Sequence, residues 1–309
     1  MCLRQLPGVD CPAVQLTSYP PYRAWMMDTI KPEVSLITRP GVWVGQDGVA
    51  GAPTTTLHLN GTVLAKAAGP VDATARTEAA HGVCAGEFFP FGFGPGELPA
   101  DQRPDDALAL CFDSPPQQEE VEILGAPTLS LTLRADQTHA QVVVRLCDLR
   151  PDGTSGLITM GLLNLRHCNS HDAPVDVVPG TDMEITLPLD HIAYRLPAGH
   201  RLRIAIAPSY FPFAFPSPTP VTLHVTAGAL TLPQRTGPEW TGFGPPRAAT
   251  PLATEPLAPR VETKRIIHDH GARTITTEII GDDGITRDTT HGLETGICVH
   301  ETFTIPLDT

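Results

Sequence analysis

Acyl transfer is the first chemistry to test against this chain, because a serine nucleophile on an α/β-hydrolase scaffold shows as G-x-S-x-G, a strained strand-to-helix elbow. That motif is absent from the 309 residues. Gly153-Thr154-Ser155-Gly156 comes nearest, but Pro151-Asp152-Gly153 leads into it, and Asp-Gly beside alternating segments is a hairpin signal. Ser155 therefore reads as a turn residue, not a nucleophile. No catalytic residue is assigned, since triad members meet in space and not in spacing.

Metal chemistry has two places to start. His167-Cys168-Asn169-Ser170-His171 sets two imidazoles four apart, which a helix would turn toward one ion. The preceding Leu162–Arg166 reads instead as a strand entering a polar turn, where the rings stand apart. Loop histidines are the expectation, there and at His268-Asp269-His270 before Gly271. Neither a metal nor a cofactor is expected. Asp105-Asp106, Glu119-Glu120 and Asp282-Asp283 are paired carboxylates of the kind that share acid–base work. Neighbours on a strand face opposite ways, so they read as solvated rim charges.

Ser209-Tyr-Phe-Pro-Phe-Ala-Phe-Pro-Ser-Pro218 stands out more, with four aromatics in a proline-stiffened loop directly after a strand. One reading has them cap the end of a core. The other makes Tyr210, Phe211, Phe213 and Phe215 a docking or ligand surface, since rigid aromatics lose little entropy on binding.

The elements that would hold these residues are short. Pro 33 and Gly 27 punctuate the chain, while apolar residues reach 41% and charged ones 18%, which excludes a coiled coil or long-helix protein. The dominant period is two, the mark of a strand with one buried face. Leu129, Leu131 and Leu133 share a face, as do Met183, Ile185, Leu187 and Leu189, then Leu202, Ile204 and Ile206, then Val221, Leu223 and Val225. Ile297, Val299, Phe303 and Ile305 repeat the pattern, with Glu301 as the exception. Turn signals at Pro179-Gly180, Pro197-Ala198-Gly199 and Asp282-Asp283-Gly284 separate them. The expected fold is an all-β antiparallel sandwich or barrel, with helix limited to a turn or two at Tyr22–Thr29. Residues 1–53 read as a leader, 54–235 as the sandwich, 236–260 as a Pro-rich linker and 261–309 as a C-terminal β extension that packs back on the sandwich. In that extension TITTEII and the GDDG turn after it predict a hairpin.

Lys+Arg 21 against Asp+Glu 34 leaves a formal charge of -13, which repels phosphate backbones and anionic lipid heads. No nucleic-acid or membrane partner is expected. The longest stretch free of Lys, Arg, Asp and Glu, Ile204–Gln234, contains six prolines and cannot satisfy its backbone in lipid. The N-terminus has no continuous apolar stretch of a secretory signal. Seven scattered cysteines without a C-x-x-C pair fit reduced thiols, and the expected location is the cytoplasm.

Several runs taken together are similar to a known family. Asp101-Gln-Arg-Pro-Asp-Asp-Ala-Leu-Ala-Leu-Cys-Phe-Asp-Ser-Pro-Pro116, Glu122-Ile-Leu-Gly-Ala-Pro127, Val142-Val-Val-Arg-Leu-Cys-Asp-Leu-Arg-Pro-Asp-Gly153 and Pro197-Ala-Gly-His-Arg-Leu-Arg203 resemble the C-terminal domain of X-Pro dipeptidyl-peptidases and cocaine-esterase-type serine hydrolases. Arg39–Val44 and Thr56–Asn60 resemble the segment joining that domain to the catalytic one. The resemblance implies a jelly-roll (galactose-binding-like) sandwich that follows an α/β-hydrolase domain bearing the Ser, Asp and His. It begins after those positions, so it places no catalytic residue here and implies a truncated or split product, with a hydrolase domain on another chain as partner and a tendency to self-associate. Gly199-His200-Arg201 within the matching run reads as structure: Gly permits the turn, and the polar pair satisfies carbonyls at the sheet end. A free-standing carbohydrate- or small-ligand-binding module is the alternative, on analogy of fold alone.

Overall fold

The computed structural model describes residues 20–33, 36, 38–48, 51–88, 97–235, 237, 239 and 252–307. Twenty strands run in order β1 (Tyr22–Asp28), β2 (Gly41–Gln46), β3 (Thr54–Asn60), β4 (Val63–Ala65), β5 (Ala73–Arg76), β6 (Leu110–Asp113), β7 (Val121–Gly125), β8 (Thr128–Ala135), β9 (Gln141–Leu149), β10 (Ser155–Asn164), β11 (Met183–Pro188), β12 (Ile192–Leu196), β13 (Arg201–Ala207), β14 (Thr222–Pro233), β15 (Thr254–Ala258), β16 (Val261–Asp269), β17 (Thr274–Asp282), β18 (Ile285–Asp288), β19 (Glu294–Thr295) and β20 (Cys298–Pro306). Among the described residues one short α-helix, α1 (Arg103–Asp106), lies between β5 and β6 and one 3-10 turn, Leu165–His167, follows β10, and no described helix is long and apolar enough to cross a membrane.

The period-two runs become strands because each has one apolar face and a partner to cover it. A four-stranded sheet, β2-β1-β12-β7, faces a ten-stranded one ordered β10-β9-β13-β6-β4-β3-β14-β8-β11, with β5 also on β14. Leu129, Leu131 and Leu133 of β8, Val142, Val144 and Leu146 of β9, and Ile123 and Leu196 of the smaller sheet join one buried cluster. Each such side chain contributes roughly 1.5–3 kcal/mol relative to an exposed position. The two ends of the long path meet: at Gly161 of β10 an added Cβ would lie 2.8 Å from Leu189 Cδ2, just past β11, and 3.0 Å from the Pro188 carbonyl oxygen, so a side chain there would force these neighbours to shift. The result is a β-sandwich of mainly antiparallel strands, with parallel pairing at β1–β12 and β4–β6.

Three local expectations change. Tyr22–Thr29 is not helical: Tyr22, Ala24 and Met26 share a face, and Met26 is buried with Val44, Leu124 and Ala193. Pairing with β2 on one side and β12 on the other satisfies this backbone better than an isolated turn of helix could. Residues read as leader thus supply two strands. Within the linker range, Thr254–Ala258 is a strand paired with β18, while 236, 238 and 240–251 lie outside the described residues, as do 1–19. The C-terminal hairpin is β16–β17, not a fold-back at the GDDG turn, and β20 returns to the other side of β17. Past Gly284 (φ 68) the chain instead joins the sheet β15-β18-β19. Ile275 and Ile305 of this segment are buried with Ala79 and Phe211.

Candidate functional site

Strand β9 carries two charged side chains in an otherwise apolar run, and both are buried: Arg145 is 0% exposed and Asp148 1%. Neither can stay charged there without partners, and each gathers a polar group from elsewhere in the chain.

Around Arg145, the guanidinium lies 2.9 Å from Asp106 Oδ1, donates to Gln102 Oε1 at 3.0 Å and reaches His81 Nε2 at 3.3 Å. It also stands 5.9 Å over the Tyr210 ring. Since Arg only donates, His81 Nε2 accepts, and the Nδ1 proton goes to the Ser209 carbonyl. Asp106 Oδ2 accepts from Arg203 Nη1 at 3.0 Å, and Arg203 forks onto Asp113 at 2.7 and 2.8 Å. Asp105 turns the other way and accepts the backbone N–H of Gly82 and Cys84, each at 3.1 Å. Asp105 and Asp106 are therefore not the rim charges the sequence suggested. The expectation assumed a strand, whereas α1 and its flanks sit under β9 and turn both carboxylates inward.

Burial, and after it the Arg145 charge, push His81 down from its ordinary 6.5 to about 3. Between those values the unfolded chain takes up a proton that the folded one refuses, so this contribution is complete above 6.5 and lost as the pH falls. From pH 6.5 to roughly 5 it removes on the order of 1–2 kcal/mol of stability. Asp105, raised by burial, acts in the opposite sense above 3.8. The check is therefore a comparison of urea unfolding for wild type and His81→Gln across this window, in which the variant is expected to show the flatter profile. Burial likewise pushes the Cys84 and Cys147 thiols up to about 12 and Cys111 to about 11, the thiol forms that do not attack carbonyls.

Asp148 anchors the second group. Its Oδ1 accepts His200 Nδ1–H at 2.7 Å, and its Oδ2 accepts Tyr194 OH at 2.8 Å and Thr29 Oγ1 at 2.5 Å. Arg150 Nη1 donates to Thr29 Oγ1 at 2.8 Å, tying β1 to the end of β9. Burial and the Asp148 charge hold the Tyr194 phenol in its protonated, donating form. An acid bonded to a histidine is two-thirds of a triad. Among the described residues, no serine or threonine hydroxyl or cysteine thiol hydrogen-bonds His200 Nε2. Ser155 does not supply the missing third: it opens β10, buried, with its N–H on Asp101. Arg201 satisfies the Ser114 carbonyl at 3.2 Å as its position suggested, while His200 takes a carboxylate instead.

The aromatic loop divides. Tyr210 and Phe211 are fully buried, Tyr210 against His81 and Phe211 beside Ala79 and Ile275, so for these two the core-capping reading holds and the docking-surface reading does not. The chain turns there because Ala214 N–H bonds back to the Tyr210 carbonyl at 2.7 Å. Phe213 is half-buried, and Phe215 is 61% exposed, edge-on to Phe211. Phe88, 78% exposed, packs tilted against Phe213 with ring centroids 5.2 Å apart and extends the surface part.

Among the described residues no group of three or more His, Cys, Asp and Glu side chains is arranged to hold a metal. His167 and His171 do not stand apart as the strand reading implied: a single 3-10 turn, Leu165–His167, ends the strand and the rings lie 5.5 Å apart, while Asp269 caps the turn after β16 through Gly271 and Ala272. Arg145, Gln102 and His81 were missed from sequence, though a charge inside Val142-Val-Val-Arg-Leu-Cys-Asp was a legible signal.

A family model, X-Pro dipeptidyl-peptidase C-terminal non-catalytic domain, matches residues 15–275. The chain is 25% identical over 116 residues to a cocaine esterase of Rhodococcus sp., covering 37% of this chain and 20% of the esterase. It is 28% identical over 124 residues to a putative serine esterase of Mycobacterium tuberculosis (35% and 20%) and 23% identical over 140 residues to a putative Xaa-Pro dipeptidyl-peptidase of Bacillus cereus (44% and 23%). The matching part thus spans about a fifth of these relatives' length. Two solved structures share the fold. An α-amino acid ester hydrolase superposes with a TM-score of 0.53 at 19% identity, covering 63% of this chain and 39% of that one. An aminopeptidase from a marine sediment Thaumarchaeota archaeon gives 0.53 at 18%, covering 62% and 38%.

Proposed function

The chain belongs to the family of X-Pro dipeptidyl-peptidase C-terminal non-catalytic domains, and from that premise we propose that it serves as the accessory sandwich of an α/β-hydrolase domain carried on another polypeptide. The reaction of the assembly is acyl-enzyme hydrolysis of an aminoacyl-proline peptide or an ester, with nucleophile and base supplied by the partner. One observation carries this reading: the acid–histidine pair of this chain is spent on structure. Asp148 has both oxygens committed, to His200 on one side and to Tyr194 and Thr29 on the other.

Phe88, Phe213 and Phe215 support the partnership. They are stiffened from behind by the buried Tyr210 and Phe211, and an exposed aromatic edge of this kind is a favourable anchor for another domain and for self-association. A cytoplasmic setting accords with the five described cysteines, all of which are free thiols.

The purified chain is expected to show no turnover of an aminoacyl-proline p-nitroanilide or an aryl ester. Adding a separately expressed family α/β-hydrolase domain should then raise that domain's kcat/KM by about tenfold or more, roughly 1.4 kcal/mol in the transition state. Turnover by the chain alone, abolished by a serine-directed fluorophosphonate, overturns the proposal. So does a hydrolase domain whose rate is indifferent to the chain.

A further inference from the structure

The inner face of the β16–β17–β20 sheet is only half covered. Register sets Ile266, Thr277 and Phe303 in one row across the three strands, Lys264, Ile279 and Glu301 in the next, and Glu262, Gly281 and Val299 in the one after. Period two turns all three rows to the same face. The row of Ile266 packs toward Ala79 and Phe211. The two further rows line a cavity of about 410 Å³ with Glu87 and Glu97 on its other wall, a volume within the range of small-molecule sites.

Three features describe what would fit. The floor is apolar and wet: Val299 is 46% exposed and Ile297, just before β20, is 64% exposed. Above Gly281 there is open space, since a Cβ added there meets no atom within 4 Å. The rim is anionic, with Glu87, Glu97, Glu262, Asp283 and Glu301 against Arg260 and Lys264, five charges against two. Arg260 approaches three of the carboxylates, Glu262, Glu97 at 4.0 Å and Asp283 at 3.8 Å, and still leaves the rim negative. Burial holds the Glu87 carboxyl above its ordinary range, opposed by Lys264 and aided by Glu97 and Glu301. Glu301 is the residue that broke the apolar alternation in the sequence, and its place on the cavity gives that break a use. No described cluster has the donor set of a metal site, and the apolar floor suits an organic body.

We propose that this groove binds a small organic cation, a primary ammonium on an apolar body the size of one ring, with the body on Ile279, Val299 and Ile297 and the charge beside Glu301 and Glu87. Most of its floor lies past residue 275, where the family match ends, so the site stands independently of the partnership above.

Calorimetric titration of the full chain tests it, with phenethylammonium, the neutral isostere 2-phenylethanol and the anion 3-phenylpropionate as probes. Phenethylammonium is expected to bind with a Kd on the order of 1 mM or tighter, at least tenfold better than the alcohol, and the anion not at all. Glu301→Gln, a change at an exposed position, should weaken the ammonium about fivefold and leave the alcohol unchanged. Gly281→Leu, which has room for its side chain, should fill the floor and reduce both by tenfold or more while the thermal midpoint holds. Equal affinity for ammonium and alcohol overturns the proposal, as does the absence of heat up to about 10 mM ammonium or full affinity in Gly281→Leu.

Discussion

Arg145→Met is expected to destabilise the sandwich by about 3–5 kcal/mol, because removing one member of a buried ionic group leaves the others charged or unpaired in a medium that cannot solvate them. Two acceptors, Gln102 Oε1 and His81 Nε2, lose their donor, and the buried Asp106 Oδ1 loses the cation 2.9 Å from it. Arg203 still holds the other oxygen of Asp106, which is why the expected loss stops short of unfolding the chain outright. Urea unfolding followed by tryptophan fluorescence gives the number. The surface pair Arg134–Asp182, at 3.4 Å with both side chains more than a third exposed, provides the contrast: Arg134→Met should cost about 0.5 kcal/mol or less. Comparable losses for the two arginines would mean that burial is not what makes Arg145 matter. A second variant separates charge from packing. Arg145→Met combined with Asp106→Leu removes both charges together, and it should recover part of the loss, since an apolar replacement of a buried pair is often close to neutral.

Gly82→Ala is expected to cost about 3 kcal/mol or more. Gly82 has φ 113, outside the region an L side chain adopts with ease, and its Cβ would stand 2.5 Å from the Phe211 carbonyl oxygen and 2.6 Å from both Phe211 N and Tyr210 C. These are backbone atoms with no rotamer to move. They are also fixed from the other side, since Phe211 N–H donates to the His81 carbonyl at 2.8 Å and Gly82 N–H to Asp105. Gly153 isolates the conformational part: it has φ 85 with nothing within 4 Å of a built Cβ, so Gly153→Ala should cost about 1 kcal/mol through strain alone. The difference between the two melts measures the close approach of the 81–84 turn to the aromatic loop. If the two variants melt together, that approach has no energetic weight.

A charge in an apolar run marks Arg145 in the linear chain, but the partners it gathers, and the backbone that Gly82 approaches, are not marked there. Asp105 and Asp106 are adjacent, and a strand would have pointed one of them to solvent. The short helix that begins at Arg103 gives them a different spacing around the axis, so one reaches the backbone of residues 82–84 and the other two arginines from β9 and β13. The aromatic loop shows the same effect in reverse. Composition marks Tyr210, Phe211, Phe213 and Phe215 alike, but chain reversal at Ala214 buries the first two beside His81 and Ile275 and leaves Phe215 outside. Tyr22–Asp28 was ambiguous for a related reason. A seven-residue run with apolar residues on one side is compatible with either period, and β2 and β12, which decide it, are remote in sequence or cannot be anticipated from it.

From its residues alone this chain determined that it is an all-β sandwich of the family its motifs resemble, and that it carries no nucleophile elbow. Alternation, turn residues and ordered motifs are local properties, and a strand needs only to know which of its two faces is apolar. Only the tertiary structure decided which charges are buried together, which aromatics are core, and that the acid–histidine pair of Asp148 and His200 is closed off by Tyr194 and Thr29. The Asp148 contacts alone join side chains 46 to 119 positions apart, and proximity of that kind is set by how the sheets fold over one another.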